Sequence, residues 1–223
     1  MGTLYLVRHG QASYGAADYD QLSPRGALQA RRLGSFWRAH GQRFDAVLTG
    51  TLRRHAQTLR EMAGELAEMP EAVQLPAFDE YDGLALVRAI DPIFAGQVDT
   101  PEGFRAYFRL LCDALAQWMA GTISPRGMPD WQDFSGAIRA ALDELQRTHQ
   151  GHQVLVVSSG GPIATAIAQV LGVTPEVGIA LNMRLRNSSV SELDMGKRRL
   201  ALQTFNTVAH LAAPEDGGLL TYA

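Results

Sequence analysis

The chain has one lysine, Lys197, one cysteine, Cys112, and no apolar run long enough to span a bilayer. A single cysteine excludes an internal disulfide. Cys112 falls in the apolar-periodic stretch LLCDALAQW, where a buried structural thiol is expected rather than a nucleophile. The apolar run in MGTLYLVRHG is too short for a signal peptide and has no basic region before it, so a cytoplasmic protein is expected. With a net charge of −3 and no basic run interleaved with aromatics, neither nucleic acid nor a membrane surface is the expected partner. Dinucleotide and P-loop fingerprints are missing, so no nucleotide cofactor is indicated.

What is present is a chain of 223 residues, 46% hydrophobic, which is enough apolar mass for a substantial core. Its basic charge is almost all arginine, the residue suited to forked binding of phosphate or carboxylate, although a compositional bias accounts for most positions. Strands are predicted at TLYLVRH (3–9), DAVLTG (45–50), AVQLPAF (72–78) and QVLVVSS (153–159). The first, second and fourth are continuous apolar runs, as expected for strands covered on both faces. MRLRNSSVSEL and RLALQTF flank DMGK and predict a β-hairpin at a sheet edge.

Ser23-Pro24 supplies a cap and a first-turn proline for a helix through GALQARRLGSFWRAH. Further helices are predicted at about 52–66, 102–119 and 131–147, and a last one follows SSGGP. The loop GTISPRGMPD is too short to be a domain linker. The alternation predicts one α/β domain over 1–223. It is a three-layer sandwich with a mainly parallel sheet, helices on both faces and a helical insertion after the third strand, at about 84–149. In such sheets ligands bind beyond the carboxyl ends of the strands.

Those ends carry polar groups. The first strand ends in Arg8-His9-Gly10-Gln11, and the second runs into TGTLRRHAQT with Arg53, Arg54 and His55. The third ends in FDEYDG with Asp79, Glu80 and Asp82, and the fourth in the turn Ser158-Ser159-Gly160-Gly161-Pro162. Each alone has an ordinary reading: a satisfied histidine, a solvated arginine face, turn carboxylates, a strand-to-helix turn. Together they supply an imidazole nucleophile, cationic anchors, an acid and a helix N-terminus, the parts required for phosphoryl chemistry.

At this point LYLVRHGQAS resembles the signature of the histidine phosphatase superfamily, the phosphoglycerate-mutase-like clan. The resemblance continues through YDQLSPRGALQARRLG, LTGTLRRHAQT, FDEYDG, VLVVSSGGPI, RNSSVSEL and FNTVAHL, nearly the whole chain. It implies that His9 is the nucleophile and becomes a phosphohistidine. Arg8 and Arg54, the latter in the pattern R-x-x-Q-T, would grip the phosphoryl oxygens, and Glu80 would be the general acid and then the base. Gln11, Ser159 and Gly160 would complete the substrate-binding set. No metal and no cofactor are implied, since guanidinium forks meet the phosphoryl charge. The partner would be a phosphorylated small molecule, with the protein a monomer or homodimer.

The family's fourth motif reads His-Gly where this chain reads Ser159-Gly160. Serine donates a hydrogen bond but brings no charge, and losing one preorganised donor typically costs about 10²–10³ in rate. A slow or specialised phosphomonoesterase and a catalytically degenerate phospholigand-binding or interaction protein are therefore both open. His55 and His210 are the histidines that could approach the pocket in compensation. HQGH, with His149 and His152, has no third ligand nearby and is expected to be solvated loop. Mutase activity is disfavoured because QASYGAADYDQLS lacks the N-x-F-T-G-W run of the clan's phosphoglycerate mutases. The Ser-Ser-Gly-Gly turn lacks the glycine that a G-x-S-x-G elbow needs, which disfavours serine-hydrolase chemistry. Substrate choice is expected in the insertion, where Arg88, Phe94, Phe104, Arg105, Tyr107 and Phe108 could roof the pocket.

Overall fold

A computed structural model of the chain describes residues 2–13, 20–66, 68–94 and 100–222. The middle of the QASYGAADYDQLS segment and residues 95–99 of the insertion lie outside them. Six strands form one sheet in the order β3-β2-β4-β1-β5-β6. They are β1 (Gly2–Arg8), β2 (Ala46–Thr49), β3 (Ala72–Gln74), β4 (Gln153–Ser158), β5 (Val190–Met195) and β6 (Leu200–Thr207). The first four are parallel; β5 and β6 are the expected hairpin, β5 running antiparallel to β1 and β6 antiparallel to β5.

The apolar runs sit where two-sided burial requires them. Along β1, Leu4 and Leu6 face one core with Val154 and Val156 of β4, packed by α5 (Trp131–Thr148) and α6 (Gly160–Leu171). Val7 faces the other core with Leu155 and Val157 of β4, against Leu33 and Trp37 of α1 (Pro24–Ala39) and Met62 of α2 (Arg53–Ala63). Burying each such Leu or Val contributes about 1.5–3 kcal/mol. The strand interior is therefore packed on both faces, and the polar residues at its carboxyl end are held by it.

Helix α1 starts as its sequence predicts, with the Ser23 hydroxyl accepting from the Gly26 amide at 3.1 Å. The third strand is shorter than its sequence suggests. It ends at Gln74, and Pro76–Phe78 form a 3₁₀ turn, because Pro76 has no amide to continue the ladder. Two helices are additional to those expected: α3 (Gly83–Ile90), capped by Asp82, and α7 (Pro175–Asn182). With α4 (Pro101–Met119), α3 forms the first part of the helical insertion. Among the described residues no helix is long and apolar enough to cross a membrane.

Candidate active site

Parallel pairing sets Arg8 opposite Ser158, so the two central strands end level with each other. The next residues, His9 and Ser159, leave the sheet side by side, and the His9 amide donates to the Ser158 carbonyl at 2.9 Å. The His9 carbonyl accepts from the amide of Ser188, whose φ is +57°. His210 lies one contact further out. Its Nε2 is 2.8 Å from the Ser188 hydroxyl, so it supports the turn that holds the His9 backbone and does not enter the site.

The His9 ring is buried and fixed at both nitrogens. Nδ1 lies 2.7 Å from the Gly10 carbonyl, which can only accept, so Nδ1 carries the proton. Nε2 then holds the lone pair, and the Arg54 Nε–H donates to it at 3.2 Å. Burial, reinforced by the charges of Arg54, Arg8 and the neighbouring His55, keeps His9 well below its ordinary pKa and hence neutral. A neutral imidazole with an oriented lone pair is a nucleophile.

Both guanidinium groups are buried and held from behind. Arg8 Nη1 donates to the Leu185 carbonyl at 2.5 Å. Arg54 Nη1 pairs with Asp20 at 2.8 Å, and the same carboxylate accepts from the Arg53 amide at 2.9 Å, capping α2, which has no cap from Leu52. Glu80, just after the 3₁₀ turn, accepts from the Gly161 amide with both carboxylate oxygens at 3.1 Å. Burial raises its pKa, partly offset by the Gly161 amide and by Arg54 and Arg8. A carboxyl that keeps its proton is what a general acid requires.

The two glycines after Ser159 are there for space. Neither has a left-handed φ. A Cβ on Gly161 would overlap Glu80 Oε1 and the Tyr81 ring, and one on Gly160 would come within 2.6 Å of Asn182 Oδ1. Ser159 itself is fully buried but makes no capping bond to α6. Its hydroxyl instead lies 2.7 Å from His55 Nε2 and 3.5 Å from Arg54 Nη2. The His9 and His55 ring centroids are 5.7 Å apart. Of the two histidines that could approach the pocket, His55 is the one beside His9.

Arg8, His9, Arg54 and Glu80 border a cavity of about 1320 Å³, with Tyr81, Asn182 and residues of α3 and α4 along its walls. Phe94, Phe104, Arg105, Tyr107 and Phe108 line it, as the insertion was expected to provide; Arg88 does not. Cys112 is half-buried and also lines it, with burial and Asp113 holding its thiol above the ordinary pKa. Gln11 faces away from the cavity wall. Its side chain accepts from the Ser23 hydroxyl at 3.0 Å, tying the loop after β1 to the start of α1. Tyr81, Asn182 and Asp20 were not singled out from sequence. Asn182 Nδ2 donates to the Tyr81 hydroxyl at 2.7 Å, a pairing across distant segments that no local pattern announces. His149 and His152 sit in an exposed loop with ring centroids 6.1 Å apart. Among the described residues no three His, Cys, Asp or Glu side chains are grouped to hold a metal.

The chain resembles known proteins over most of its length. It is 28% identical to a 2,3-bisphosphoglycerate-dependent phosphoglycerate mutase of Nitratidesulfovibrio vulgaris, covering 90% of each chain. It is 23% identical to a metal-independent phosphoserine phosphatase of Arabidopsis thaliana, covering 94% of this chain and 83% of the relative. In fold it matches Bacillus stearothermophilus YhfR with a TM-score of 0.70 at 18% identity, over 94% of this chain and 99% of that one. It also matches the alpha-ribazole phosphatase of Shigella flexneri, with a TM-score of 0.64 at 21% identity, over 93% of this chain and 97% of that one. The family model for the histidine phosphatase superfamily (branch 1) matches residues 4–208, and with that match the chain belongs to the superfamily.

Proposed function

We propose that the protein is a metal-independent phosphomonoesterase that carries the phosphoryl group on His9. The observation that bears most weight is the double fixing of the His9 ring, with Nδ1 against the Gly10 carbonyl and the Nε2 lone pair facing the buried arginines. A substrate phosphate would draw the Arg54 and Arg8 guanidinium groups onto its oxygens, and the Arg54 Nε–H would leave His9 Nε2. The freed lone pair attacks phosphorus as the ester P–O bond breaks, and Glu80 gives its proton to the departing oxygen. Glu80, now a carboxylate, takes a proton from water. The water oxygen attacks phosphorus, the P–N bond breaks, and phosphate leaves with His9 neutral again.

The cavity supports a bulky, partly apolar alcohol as the rest of the substrate. Its volume of about 1320 Å³ exceeds the usual range for small-molecule sites, and Phe94, Phe104, Tyr107 and Phe108 form much of the wall. Relatives named as phosphoserine phosphatase and alpha-ribazole phosphatase agree with hydrolysis. The phosphoglycerate mutase among them makes transfer to a second hydroxyl an alternative to be measured.

A phospholigand-binding protein without turnover is the second reading, and Ser159 is the observation that favours it: this position, where the superfamily pattern has a histidine, supplies no charge of its own. The deciding experiment is hydrolysis of an aryl phosphate by wild type and His9→Ala, with base quenching to trap an acid-labile phosphohistidine. Activity and trapped phosphate should both vanish in His9→Ala. Full activity in that variant would overturn the assignment, and binding of inorganic phosphate with no turnover in wild type would favour the second reading.

A further inference from the structure

Two groups meet at the Ser159 hydroxyl, Arg54 and His55, and the second has no part in the chemistry above. His55 is fully buried beside the reacting imidazole, which is a costly place for an idle polar ring. Burial and the adjacent Arg54 hold its pKa at about 3, so it is neutral and carries one proton. Nε2 lies 2.7 Å from Ser159 Oγ, and Nδ1 has no hydrogen-bond partner among the described residues. Asp79 Oδ1 is 3.8 Å from Nδ1, beyond hydrogen-bond reach, and that carboxylate is already engaged by the amide and hydroxyl of Thr51.

The ring is seated deliberately. It lies over Gly50 so closely that a Cβ there would overlap Nδ1. Arg54 and His55 are consecutive residues in the first turn of α2, and Ser159 sits between them, reached by Arg54 Nη2 at 3.5 Å and His55 Nε2 at 2.7 Å.

A hydroxyl has two lone pairs and one proton. When His55 carries its proton on Nε2, that N–H and the Arg54 N–H occupy both lone pairs of Oγ. The hydroxyl proton is then left without an acceptor among the described residues. Ser159 has no exposed surface of its own, but Arg54, which contacts it, and His9 border the cavity, and an anion held by them would supply the acceptor. With the proton on Nδ1 instead, the Ser159 hydroxyl would be spent on Nε2 and could not donate to a ligand. An oxyanion in the site therefore selects the Nε2–H form. The ring keeps one proton in either form, so no net charge moves.

We propose that His55 is a positioning residue, which through its Nε2–H fixes the Ser159 hydroxyl as a hydrogen-bond donor to the phosphoryl group. The two side chains together make one preorganised donor, serine touching the ligand and histidine aiming it. This rests on the phosphatase reading for its kinetic consequences but not for the hydrogen-bond geometry, and the two are tested apart.

The first measurement is ¹⁵N NMR of histidine-labelled protein with and without orthovanadate, used as the phosphate mimic. The bound form should show His55 as the Nε2–H tautomer, and Ser159→Ala should abolish the dependence on vanadate. His55 in the Nδ1–H form with vanadate bound would overturn the proposal. The second is a double-mutant cycle in aryl-phosphate turnover with His55→Phe, Ser159→Ala and the pair. Each single change should lower kcat about tenfold to a hundredfold with little change in KM, and the pair should lose no more than Ser159→Ala alone. Additive losses would overturn it. His55→Gln, which keeps an N–H donor near the Nε2 position, should fold and recover part of the lost kcat; no recovery in a folded protein would count against it. If wild type binds vanadate but turns nothing over, the phosphatase reading fails, while the tautomer and the vanadate affinities of the same variants still decide the role of His55.

Discussion

The Glu80 carboxylate bridges its own chain to the start of α6, both oxygens lying 3.1 Å from the Gly161 amide nitrogen. That amide ties down the proposed general acid, and the absence of a side chain at 161 is what admits it. Gly161→Ala should displace Glu80 and the Tyr81 ring, lowering kcat at least tenfold and costing about 1–3 kcal/mol of stability by overpacking. Glu80→Gln should lower kcat/KM by about 10²–10⁴ for alkyl phosphates. The loss should be much smaller for a nitrophenyl phosphate, whose leaving group needs no proton. Steady-state kinetics on the two substrate types separates a lost acid from a lost fold.

The pH profile follows from two shifts of opposite sign. His9 must be neutral, and its pKa is held well below 6.5, so activity should rise through that lowered value. Glu80 must be protonated, and its pKa is raised above 4.5, so activity should fall as pH climbs through that raised value. The optimum of kcat/KM should therefore lie between the lowered His9 value and the raised Glu80 value, and Glu80→Gln should remove the alkaline limb. Acid also loosens the fold. His55 stays neutral to about pH 3 and His210 to about pH 4, whereas in the unfolded chain both protonate near 6.5. Stability should fall as pH drops below 6.5, by up to about 1.4 kcal/mol per pH unit for each ring, as followed by thermal melts.

Asp20 holds Arg54 Nη1 at 2.8 Å and is part-exposed, so the pair contributes modestly, about 1 kcal/mol. Asp20→Asn should leave Arg54 free to swing and raise KM about fivefold while kcat changes less. A fall in kcat with KM unchanged would mean that Asp20 acts on the transition state instead.

Introducing a histidine at 159 should fail on its own. Ser159 is fully buried with His55 Nε2 2.7 Å from its hydroxyl, so a second imidazole has nowhere to go. Ser159→His should cost about 1–3 kcal/mol and gain no activity. Combined with His55→Ala it should regain the lost melting temperature and raise kcat. Circular-dichroism melts and aryl-phosphate assays on the single and double variants check both halves.

How far these residues could be read from sequence depends on how local their signals are. The strand-to-site order was legible because β1, β2 and β4 are apolar on both faces and end on polar turns. His9, Arg8, Arg54 and Glu80 follow from motifs a few residues long. Helix α3 was hidden because GLALVRAI offers barely two turns of mostly apolar residues, and its cap, Asp82, reads equally well as one more turn carboxylate. Helix α7 carries a glycine at 178 and only eight residues, too few for a periodic pattern to stand out. The grip of Asp20 on Arg54, the Tyr81–Asn182 pair and the placement of Gln11 at the α1 cap depend on tertiary approach, which no short pattern encodes.

The placing of β1 in the middle of the sheet has a consequence for synthesis. Its two neighbours, β4 and β5, are encoded far downstream, at Gln153–Ser158 and Val190–Met195. At ribosomal speeds of about 5–20 residues per second, the strand bearing His9 waits on the order of ten seconds with both hydrogen-bonding edges open. The cavity is still unbuilt in that interval, because Asn182, Met183 and Leu185 of its wall have yet to emerge. The nascent strand is thus most exposed to wrong pairing before its site is built, and that exposure ends only once both β4 and β5 have docked.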